Sequence, residues 1–447
     1  MDLFNGHHLE KGNDMQEESR AERVLFTPEM KKTHTILAPT MLPIHFSFLV
    51  NILRQDGYKV DLLQNQGRGV VNEGLKNVHN DTCYPALLVI GQMIDALESG
   101  LYDPHKVAFL ITQTGGGCRA SNYIFLLRKA LKKSGYGYVP VISLNMAGLE
   151  SNPGFKITLP MLIKMVYAVV LGDLIMLLAN QCRPYERTQG ETERTIARLI
   201  DEIMDDFANK NYISYRTVRK RYQSVLAAFA AIDCAPRNKV KVGVVGEIYV
   251  KYSPLGNNNL EQFLLSEGAE AVVPGLLDFC MYCLYNGIED NKLYGGNFKG
   301  SIFSRLGLRF LENKQRDIIK VIRAQGVFAP PSLFTKTRES AREYINLGVK
   351  MGEGWLLTAE MVELIEAGVN NIVCTQPFGC LPNHIVGKGM MRAIKEKNPQ
   401  ANIVAVDYDP GASEVNQQNR IKLMLANAQM AAEENASQQE EREACLL

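Results

Sequence analysis

Three cysteines of this chain lie in loops that each lead directly into a predicted helix. They are Cys83 in His79-Asn-Asp-Thr-Cys-Tyr-Pro85, Cys118 in Gln113-Thr-Gly-Gly-Gly-Cys-Arg119, and Cys380 in Gln376-Pro-Phe-Gly-Cys-Leu-Pro382. They are far apart in sequence, so only the fold could gather them. Gathered thiolates are ligands for soft metals, above all for iron with sulfide. Three thiolates would leave one iron of a four-iron cube open, which would make the cluster a reagent as well as an electron relay.

The helix after each cysteine supports this interpretation, because N–H groups and the dipole at a helix N-terminus favour an anionic, thiolate-ligated cluster. The same helix termini are expected to lower the pKa of the thiols, which ligation requires. The alternative is three unrelated buried cysteines, since free cysteine is among the most buried residue types. The residues alone leave both interpretations open.

Strands and helices alternate around these loops. The sequence predicts strands at 35–39, 58–63, 107–112, 138–143, 240–246, 271–274, 371–375 and 402–407. It predicts helices at 44–55, 84–99, 121–132, 159–178, 191–210, 214–231, 260–267, 358–367, 384–397 and 426–443. This alternation is typical of α/β folds with parallel sheets. Ligands of such sheets bind beyond the carboxyl ends of the strands, where Cys118 and Cys380 are expected.

The stretch without a predicted strand divides the chain. We expect a mobile N-terminal extension at 1–33, a first α/β lobe at 34–158, a helical segment at 159–237, a second α/β lobe at 238–428 and a polar tail at 429–447. The segment 159–178 is long and apolar, but it contains Lys164 and Asp173. Because charges near a bilayer centre are costly, we expect a buried helix and no membrane association.

The composition excludes several classes of protein. The chain has 447 residues, 46% of them hydrophobic and 22% charged, with a net charge of +1. No basic excess points to nucleic acid or to an anionic membrane. Nine cysteines in a chain of this length, without a secretory signal, predict reduced thiols and a cytoplasmic location.

Three polar residues are candidates for catalysis. Glu247 follows the predicted strand 240–246, at the position of an active-site residue in a β/α unit. His384 lies close after Cys380 and is a candidate acid or base, although a histidine at a helix start is commonly structural. Ser121 could contact a cluster or substrate, but it could equally cap a helix, as could Asn383.

The remaining cysteines carry weaker signals. Cys280 and Cys283 form a CxxC pair in an apolar stretch, which predicts packing on a buried helix face or, alternatively, ligands of a second cluster. Cys374 is either a core residue of a strand or a further ligand. Cys182 and Cys234 flank the helical segment and have no assigned role.

Several motifs resemble those of the 2-hydroxyacyl-CoA dehydratase-like family, especially its 2-hydroxyglutaryl-CoA dehydratase-like, acyl-CoA dehydratase activase-related branch. The motifs are Asn80-Asp-Thr-Cys-Tyr-Pro-Ala86, Gln113-Thr-Gly-Gly-Gly-Cys-Arg-Ala-Ser-Asn-Tyr123, Val245-Gly-Glu-Ile-Tyr-Val250, Gln376-Pro-Phe-Gly-Cys-Leu-Pro-Asn-His384 and Asp407-Tyr-Asp-Pro-Gly-Ala-Ser-Glu-Val-Asn-Gln-Gln-Asn-Arg420. The resemblance covers roughly residues 34–428. It implies two Rossmann-like lobes with helical additions and a 4Fe–4S cluster in the cleft between them, held by Cys83, Cys118 and Cys380.

The resemblance also implies a reaction. The related dehydratases use one low-potential electron for radical dehydration of a 2-hydroxyacyl-CoA to the 2-enoyl-CoA. No nucleotide-binding motif occurs in this chain, so a separate ATP-hydrolysing activator is expected as a partner. Homo- or hetero-dimerisation is also expected. Arg420 is expected to anchor Asp407 or Asp409, or else to contact a CoA phosphate.

Two other functions stay open. Some relatives of this family are ATP-coupled reductases of small molecules that carry a double-cubane 8Fe–9S cluster, which needs more thiolates. The chain could also be a non-catalytic electron relay or partner subunit.

Overall fold

Two parallel four-stranded sheets organise the protein, which confirms the predicted α/β class. The computed structural model describes residues 23–79, 81–113, 116–145, 150–208 and 212–444, with side chains up to residue 431. Most of the predicted N-terminal extension, and residues 445–447 of the tail, lie outside this range. The exact domain limits stay a prediction.

The strand order is the same in both sheets. The first contains β1 (Thr35–Ala38), β2 (Lys59–Leu62), β3 (Val107–Thr112) and β4 (Val141–Leu144), in the order β2-β1-β3-β4. The second contains β5 (Lys241–Gly246), β6 (Glu270–Val272), β7 (Asn371–Pro377) and β8 (Asn402–Tyr408), in the order β6-β5-β7-β8. The inner strands β3, β5 and β7 are almost wholly buried because helices cover both faces of each sheet.

Helices account for most of the remaining described chain. The helices of the first lobe are Met30–Thr33, Pro43–Gln55, Arg68–Asn77, Tyr84–Glu98 and Tyr123–Lys133, and the helical segment contains Leu159–Cys182, Glu191–Ala208 and Tyr215–Ala230. The helices of the second lobe are Ile248–Tyr252, Pro254–Asn257, Leu260–Ser266, Leu276–Tyr294, Phe298–Gln325, Phe334–Ala341, Trp355–Glu366, Leu381–Val386, Met391–Lys397 and Glu414–Ala444.

Two predicted helix boundaries were wrong. The expected helix 384–397 is two helices, since the chain leaves helical geometry at Gly387. A side chain there would meet the Asn383 amide, which is held by a hydrogen bond to the carbonyl of Thr375. The last helix begins at Glu414, so Arg420 lies inside it and does not start it.

The helix Leu159–Cys182 is long and apolar enough to cross a membrane, but it packs inside the protein. More than half of the residues in its most apolar stretch are buried. It contacts Pro43–Gln55 of the first lobe, Tyr215–Ala230 of the helical segment and Leu276–Tyr294 of the second lobe. These contacts are those of a core helix in a soluble protein.

Asp173 on this helix links all three parts of the chain. Its carboxylate accepts a hydrogen bond from Nε2 of His45 in the first lobe, at 2.7 Å. It also accepts bonds from the N–H groups of Leu276 and Leu277 in the second lobe, at 2.9 and 2.7 Å. Asp173 therefore caps the helix Leu276–Tyr294 from outside, where Gly275 offers no side-chain cap.

We expect Asp173→Ala to lower the free energy of unfolding by about 2–4 kcal/mol, because it removes a helix cap and leaves His45 without its partner. Urea denaturation of both proteins would measure the change. The control is Asp233→Ala, which breaks only an exposed ion pair with Arg187 and should cost less than about 1 kcal/mol. Equal losses in the two variants would contradict the linking role.

Candidate metal centre

The loops of Cys83 and Cys380 meet backbone to backbone. The N–H of Tyr84 donates to the carbonyl of Phe378 at 2.9 Å. Gly379 lies next to this bond with a φ of 71°, and a Cβ placed there would lie 3.1 Å from Cα of Cys83. Both the left-handed backbone and the close approach favour glycine at this position. This contact joins the first lobe to the carboxyl edge of the second sheet.

The Cys118 loop reaches the same place from the first sheet. Tyr123 places its hydroxyl oxygen 2.9 Å from Sγ of Cys83. The guanidinium of Arg119 donates to the carbonyl of Asp81, two residues before Cys83. Thr114 and Gly115 of the glycine loop lie outside the described residues. The fold thus brings together the loops that carry the three predicted ligands.

Each of the three cysteines is the N-cap residue of the helix that follows it. Sγ of Cys118 accepts a hydrogen bond from the N–H of Ala120 at 3.3 Å. Backbone N–H groups also lower the pKa of Cys83 and of Cys380, although they are not the largest influence on either thiol. Cys118 is thus the one cysteine of the three whose sulfur makes a capping hydrogen bond, since Cys83 and Cys380 cap their helices without one.

Burial overrides this effect, and the expectation of lowered thiol pKa values was wrong for the protein alone. Desolvation is the largest cause that raises the pKa of each thiol, and it raises that of Cys118 to about 11. The charge of Cys83 adds to the rise at both Cys118 and Cys380, so the three thiols lie within electrostatic range of one another. Without a bound cation, the neutral thiol is the favoured form.

A buried pair of carboxyl groups lies beside the thiols. Glu247 caps the helix Ile248–Tyr252, and its Oε2 accepts from the N–H of Val250 at 2.9 Å. Oε1 of Glu353 accepts from the N–H of Ile248, also at 2.9 Å. Burial, and then the charge of Glu353, raise the pKa of Glu247 to about 8, and burial raises that of Glu353. Both carboxyl charges also raise the pKa of Cys118 and Cys380.

Glu353 belongs to a loop that the sequence analysis missed. Met351 of this loop packs on Gly117, where a Cβ would come within 2.1 Å of its Sδ. The next residue, Gly352, lies against Pro382 of the Cys380 loop. The two glycines that flank Glu353 could have indicated this loop, because glycine is typical of turns. Both Gly352 and Gly354 have positive φ.

The other predicted polar residues have mainly local contacts. Ser121 donates its hydroxyl to the carbonyl of Cys118 at 2.8 Å, and Asn383 donates to the carbonyl of Thr375. Neither is an N-cap, because Asn122 is the N-cap of the helix Tyr123–Lys133 and Cys380 that of the helix Leu381–Val386. His384 is exposed on the short helix after Cys380.

The further cysteines lie in three different places. Cys280 and Cys283 lie on the helix Leu276–Tyr294, and desolvation and the charge of Glu353 raise the pKa of Cys283 to about 12. Cys374 is fully buried in the core of the second lobe, as one of its two interpretations predicted. Cys182 and Cys234 lie close to each other beside the helical segment.

Arg420 contacts a carboxylate, as one of its two interpretations predicted. Its Nη1 lies 2.9 Å from the carbonyl of Ala405 and 3.4 Å from Oδ2 of Asp407. Lys388 pairs with the same Asp407 at 3.2 Å. A turn follows at Asp409, whose Oδ1 accepts a hydrogen bond from the N–H of Gly411 at 2.7 Å.

Comparison with known proteins gives no relative: no family model matches the chain, and no curated protein matches it. In the part of the chain that the structure describes, no three His, Cys, Asp or Glu side chains surround the position of a single metal ion. A cubane cluster spreads its ligands over several iron atoms, so its thiols are farther apart than those of one ion.

We expect Gly379→Ala to destabilise the protein more than Gly368→Ala. Both glycines have positive φ, 71° and 84°, but nothing lies within 4 Å of a Cβ at Gly368. Backbone strain should lower the free energy of unfolding of each variant by about 1 kcal/mol or more. In Gly379→Ala, the contact with Cys83 should lower it by roughly another 1 kcal/mol. Thermal and urea unfolding would measure both, and equal losses would show that the contact contributes nothing.

The free energy of unfolding of the metal-free protein should fall as the pH rises from about 5 to about 8. The pKa of Glu247 is raised from 4.5 to about 8 on folding. Between these values the folded state holds a proton that the unfolded state has lost, so this stabilisation is complete below the lower value and disappears above the upper one.

Glu247→Gln should flatten this pH dependence while keeping an acceptor for the N–H of Val250. Urea denaturation at several pH values would measure the slope. Glu396→Gln, which changes an exposed glutamate, serves as the control and should leave the slope unchanged. The assignment fails if the Glu247 variant and the unmodified protein have the same slope.

Proposed function

We propose that this protein binds one 4Fe–4S cluster through Cys83, Cys118 and Cys380 and acts as the cluster-bearing component of a 2-hydroxyacyl-CoA dehydratase-like lyase. The observation that carries the proposal is the meeting of three N-capping cysteines whose loops contact one another. Three of the five motifs that resemble the dehydratase family lie in these same loops.

The residues present fit such a cluster. Three thiols form a soft donor set, and glycine at 379 leaves room where two backbones approach. The raised pKa of each thiol means that a cation must compensate the thiolate charge, which cluster iron would do. A bound cluster with an open iron would supply one electron and a Lewis acid for a substrate oxygen.

The carboxyl pair would serve the proton steps of a dehydration. A carboxyl group with a raised pKa keeps its proton near neutral pH and can donate it to a departing hydroxyl group. Glu247, with a pKa of about 8, fits this role, and Glu353 holds the second carboxyl beside it. The two backbone N–H bonds to these carboxyls fix their positions.

Gln376 would help to orient the substrate. It lies at the end of β7 with 1% of its surface exposed, and its Nε2 donates to the carbonyl of Pro377. Its Oε1 has no hydrogen-bond partner among the described residues. A buried acceptor without a partner is costly, so a donor on the substrate, such as a hydroxyl or amide N–H, would satisfy it.

The partners belong to the same proposal. A cytoplasmic, dimeric protein would receive its electron from a separate ATP-hydrolysing activator and act on an acyl-CoA. Arg420 is half-exposed and pairs with Asp407. This ion pair explains its position without a contact to a CoA phosphate.

A double-cubane reductase is the second candidate, and one observation favours it. The helix that carries Cys283 contacts the Glu353 loop, because the hydroxyl of Tyr282 donates to the carbonyl of Gly352 at 3.0 Å, and Cys283 itself is exposed. Cys283 and its neighbour Cys280, one helical turn away, would be the added ligands. This reading requires about eight irons per chain, against about four for one cube.

Anaerobic purification with iron and sulfide analysis, followed by EPR after reduction, tests the proposal. We expect about four irons per chain and a reduced-cluster signal. Single Cys83→Ser, Cys118→Ser and Cys380→Ser variants should each lose most of the iron while remaining folded by circular dichroism.

Two controls decide between the candidates. Cys234→Ser, away from the loops, should keep its full iron content. Iron content that is unchanged in all three loop variants would refute the cluster site, and about eight irons that fall to about four in Cys283→Ser would favour the double cubane.

A further inference from the structure

Cys182 and Cys234 are two thiols that the candidate metal centre does not use. Cys182 is the last residue of the helix Leu159–Cys182, and Cys234 follows the helix Tyr215–Ala230. Both are free, and although 52 positions separate them in the sequence, their side chains are in hydrogen-bond contact. Sγ of Cys234 also lies 3.9 Å from the carbonyl oxygen of Cys182. A disulfide requires side chains that point toward each other, and the contact of the two thiols meets this requirement.

The backbone on both sides of Cys234 holds this contact in place. The N–H of Ala235 donates to the carbonyl of Tyr185 at 2.7 Å. On the other side, the N–H of Arg187 donates to the carbonyl of Asp233 at 2.9 Å. These two bonds fix Cys234 against the chain that leaves the long apolar helix, so the approach of the thiols does not depend on side-chain rotation alone.

The two thiols differ in their access to solvent. Cys182 is fully buried, and its Sγ lies 3.7 Å from the carbonyl of Phe229. Cys234 is partly exposed. Desolvation is the largest influence on the pKa of Cys234 and raises it, while the hydrogen bond with Cys182 is the largest influence that lowers it. The sulfur that solvent reaches is therefore the one whose thiolate the other thiol stabilises.

Arg237 places a cation beside the pair. Its guanidinium lies over the ring of Phe328, 4.5 Å from the centroid, and donates to the carbonyl of Val327. Desolvation raises the pKa of Cys182 to about 12, and Arg237 acts against the rise at both thiols. A cation beside a thiol favours the thiolate, which is the form that attacks a disulfide.

We propose that Cys182 and Cys234 are a reversible redox pair that small-molecule disulfides, such as oxidised glutathione, convert to a protein disulfide. The thiolate of Cys234 attacks one sulfur of the oxidant, forms a mixed disulfide and displaces the other sulfur as a thiolate. The sulfur of Cys182 then attacks Cys234 and displaces the second thiolate. Two protein thiols are oxidised to one disulfide, and the oxidant is reduced to two thiols that take up the two protons.

The disulfide would close the helical segment at its base, where the chain passes on to the second lobe. It lies apart from the loops of the candidate metal centre. The inference therefore does not depend on the proposed function, and its test reads the thiols directly without any measurement of iron or activity.

The test is incubation of the intact chain with reduced and oxidised glutathione, followed by alkylation of the remaining thiols, trypsin digestion and mass spectrometry. Trypsin releases Cys182 in a peptide of residues 165–187 and Cys234 in a peptide of residues 222–237. We expect these two peptides to be linked, and dithiothreitol to separate them. This measurement needs no substitution. Absence of the linked pair, or a link from Cys234 to another cysteine, would overturn the proposal.

Two substitutions test the order of the steps. Cys182→Ser should stop the exchange after the first step and leave one glutathione bound to Cys234. Cys234→Ser should leave Cys182 unmodified, because that sulfur is fully buried. Glutathione on Cys182 in the second variant, or none on Cys234 in the first, would show that the assigned order is wrong.

A third substitution tests the cation. Arg237→Gln should slow the formation of the linked pair severalfold, because less of Cys234 is then thiolate. Arg198→Gln, which breaks only an exposed ion pair with Glu202, serves as the control and should leave the rate unchanged. Equal rates in these two variants would refute the role of Arg237.

Discussion

The approach of Gly379 to Cys83 is the constraint on which the candidate metal centre depends. Loops at the carboxyl ends of the strands in two separate sheets can share a site only if the two lobes are held against each other there. A bond between Tyr84 and Phe378 does this at the site itself. A shared core does it at a distance, because Phe109 of the first sheet and Val373 of the second belong to one continuous cluster of buried side chains. The lobes are therefore fixed relative to each other where the thiols meet.

The electrostatic environment where the three loops meet raises the pKa of the thiols and so disfavours the thiolate form. Helix N-termini contribute hydrogen bonds to the sulfurs, yet burial and the carboxyl pair outweigh them. Arg119 is a nearby cation that lowers the pKa of Cys83, and it is bound to a backbone carbonyl. A bound cluster would release the thiol protons, so its affinity should depend on pH. The same burial would shield a bound cluster from solvent.

The sequence predicted those strands and helices whose limits depend on the local pattern of apolar and polar residues. β3 was predicted with its observed limits because Val107–Thr112 is a continuous apolar run between polar residues. The helix Phe298–Gln325 was missed because apolar residues such as Phe303 and Leu306 lie on its exposed side, which blurs the amphipathic pattern. Glu353 was missed because its partner Ile248 is 105 residues away, and no local pattern encodes such a contact.

The equal strand order of the two sheets places the candidate ligands at related positions in the two lobes. Cys118 follows β3 and Cys380 follows β7, the third strand of each sheet in chain order. Cys83 caps the helix Tyr84–Glu98, which precedes β3. Its counterpart in the second lobe is Gly354, the N-cap of the helix Trp355–Glu366, which precedes β7. The fourth equivalent position thus carries a glycine preceded by a carboxyl group, and both loops of the pair reach the centre. The position that corresponds to Cys83 in the second lobe is therefore occupied by the loop of the buried Glu353, whose carboxyl accepts from the N–H of Ile248 beside Glu247.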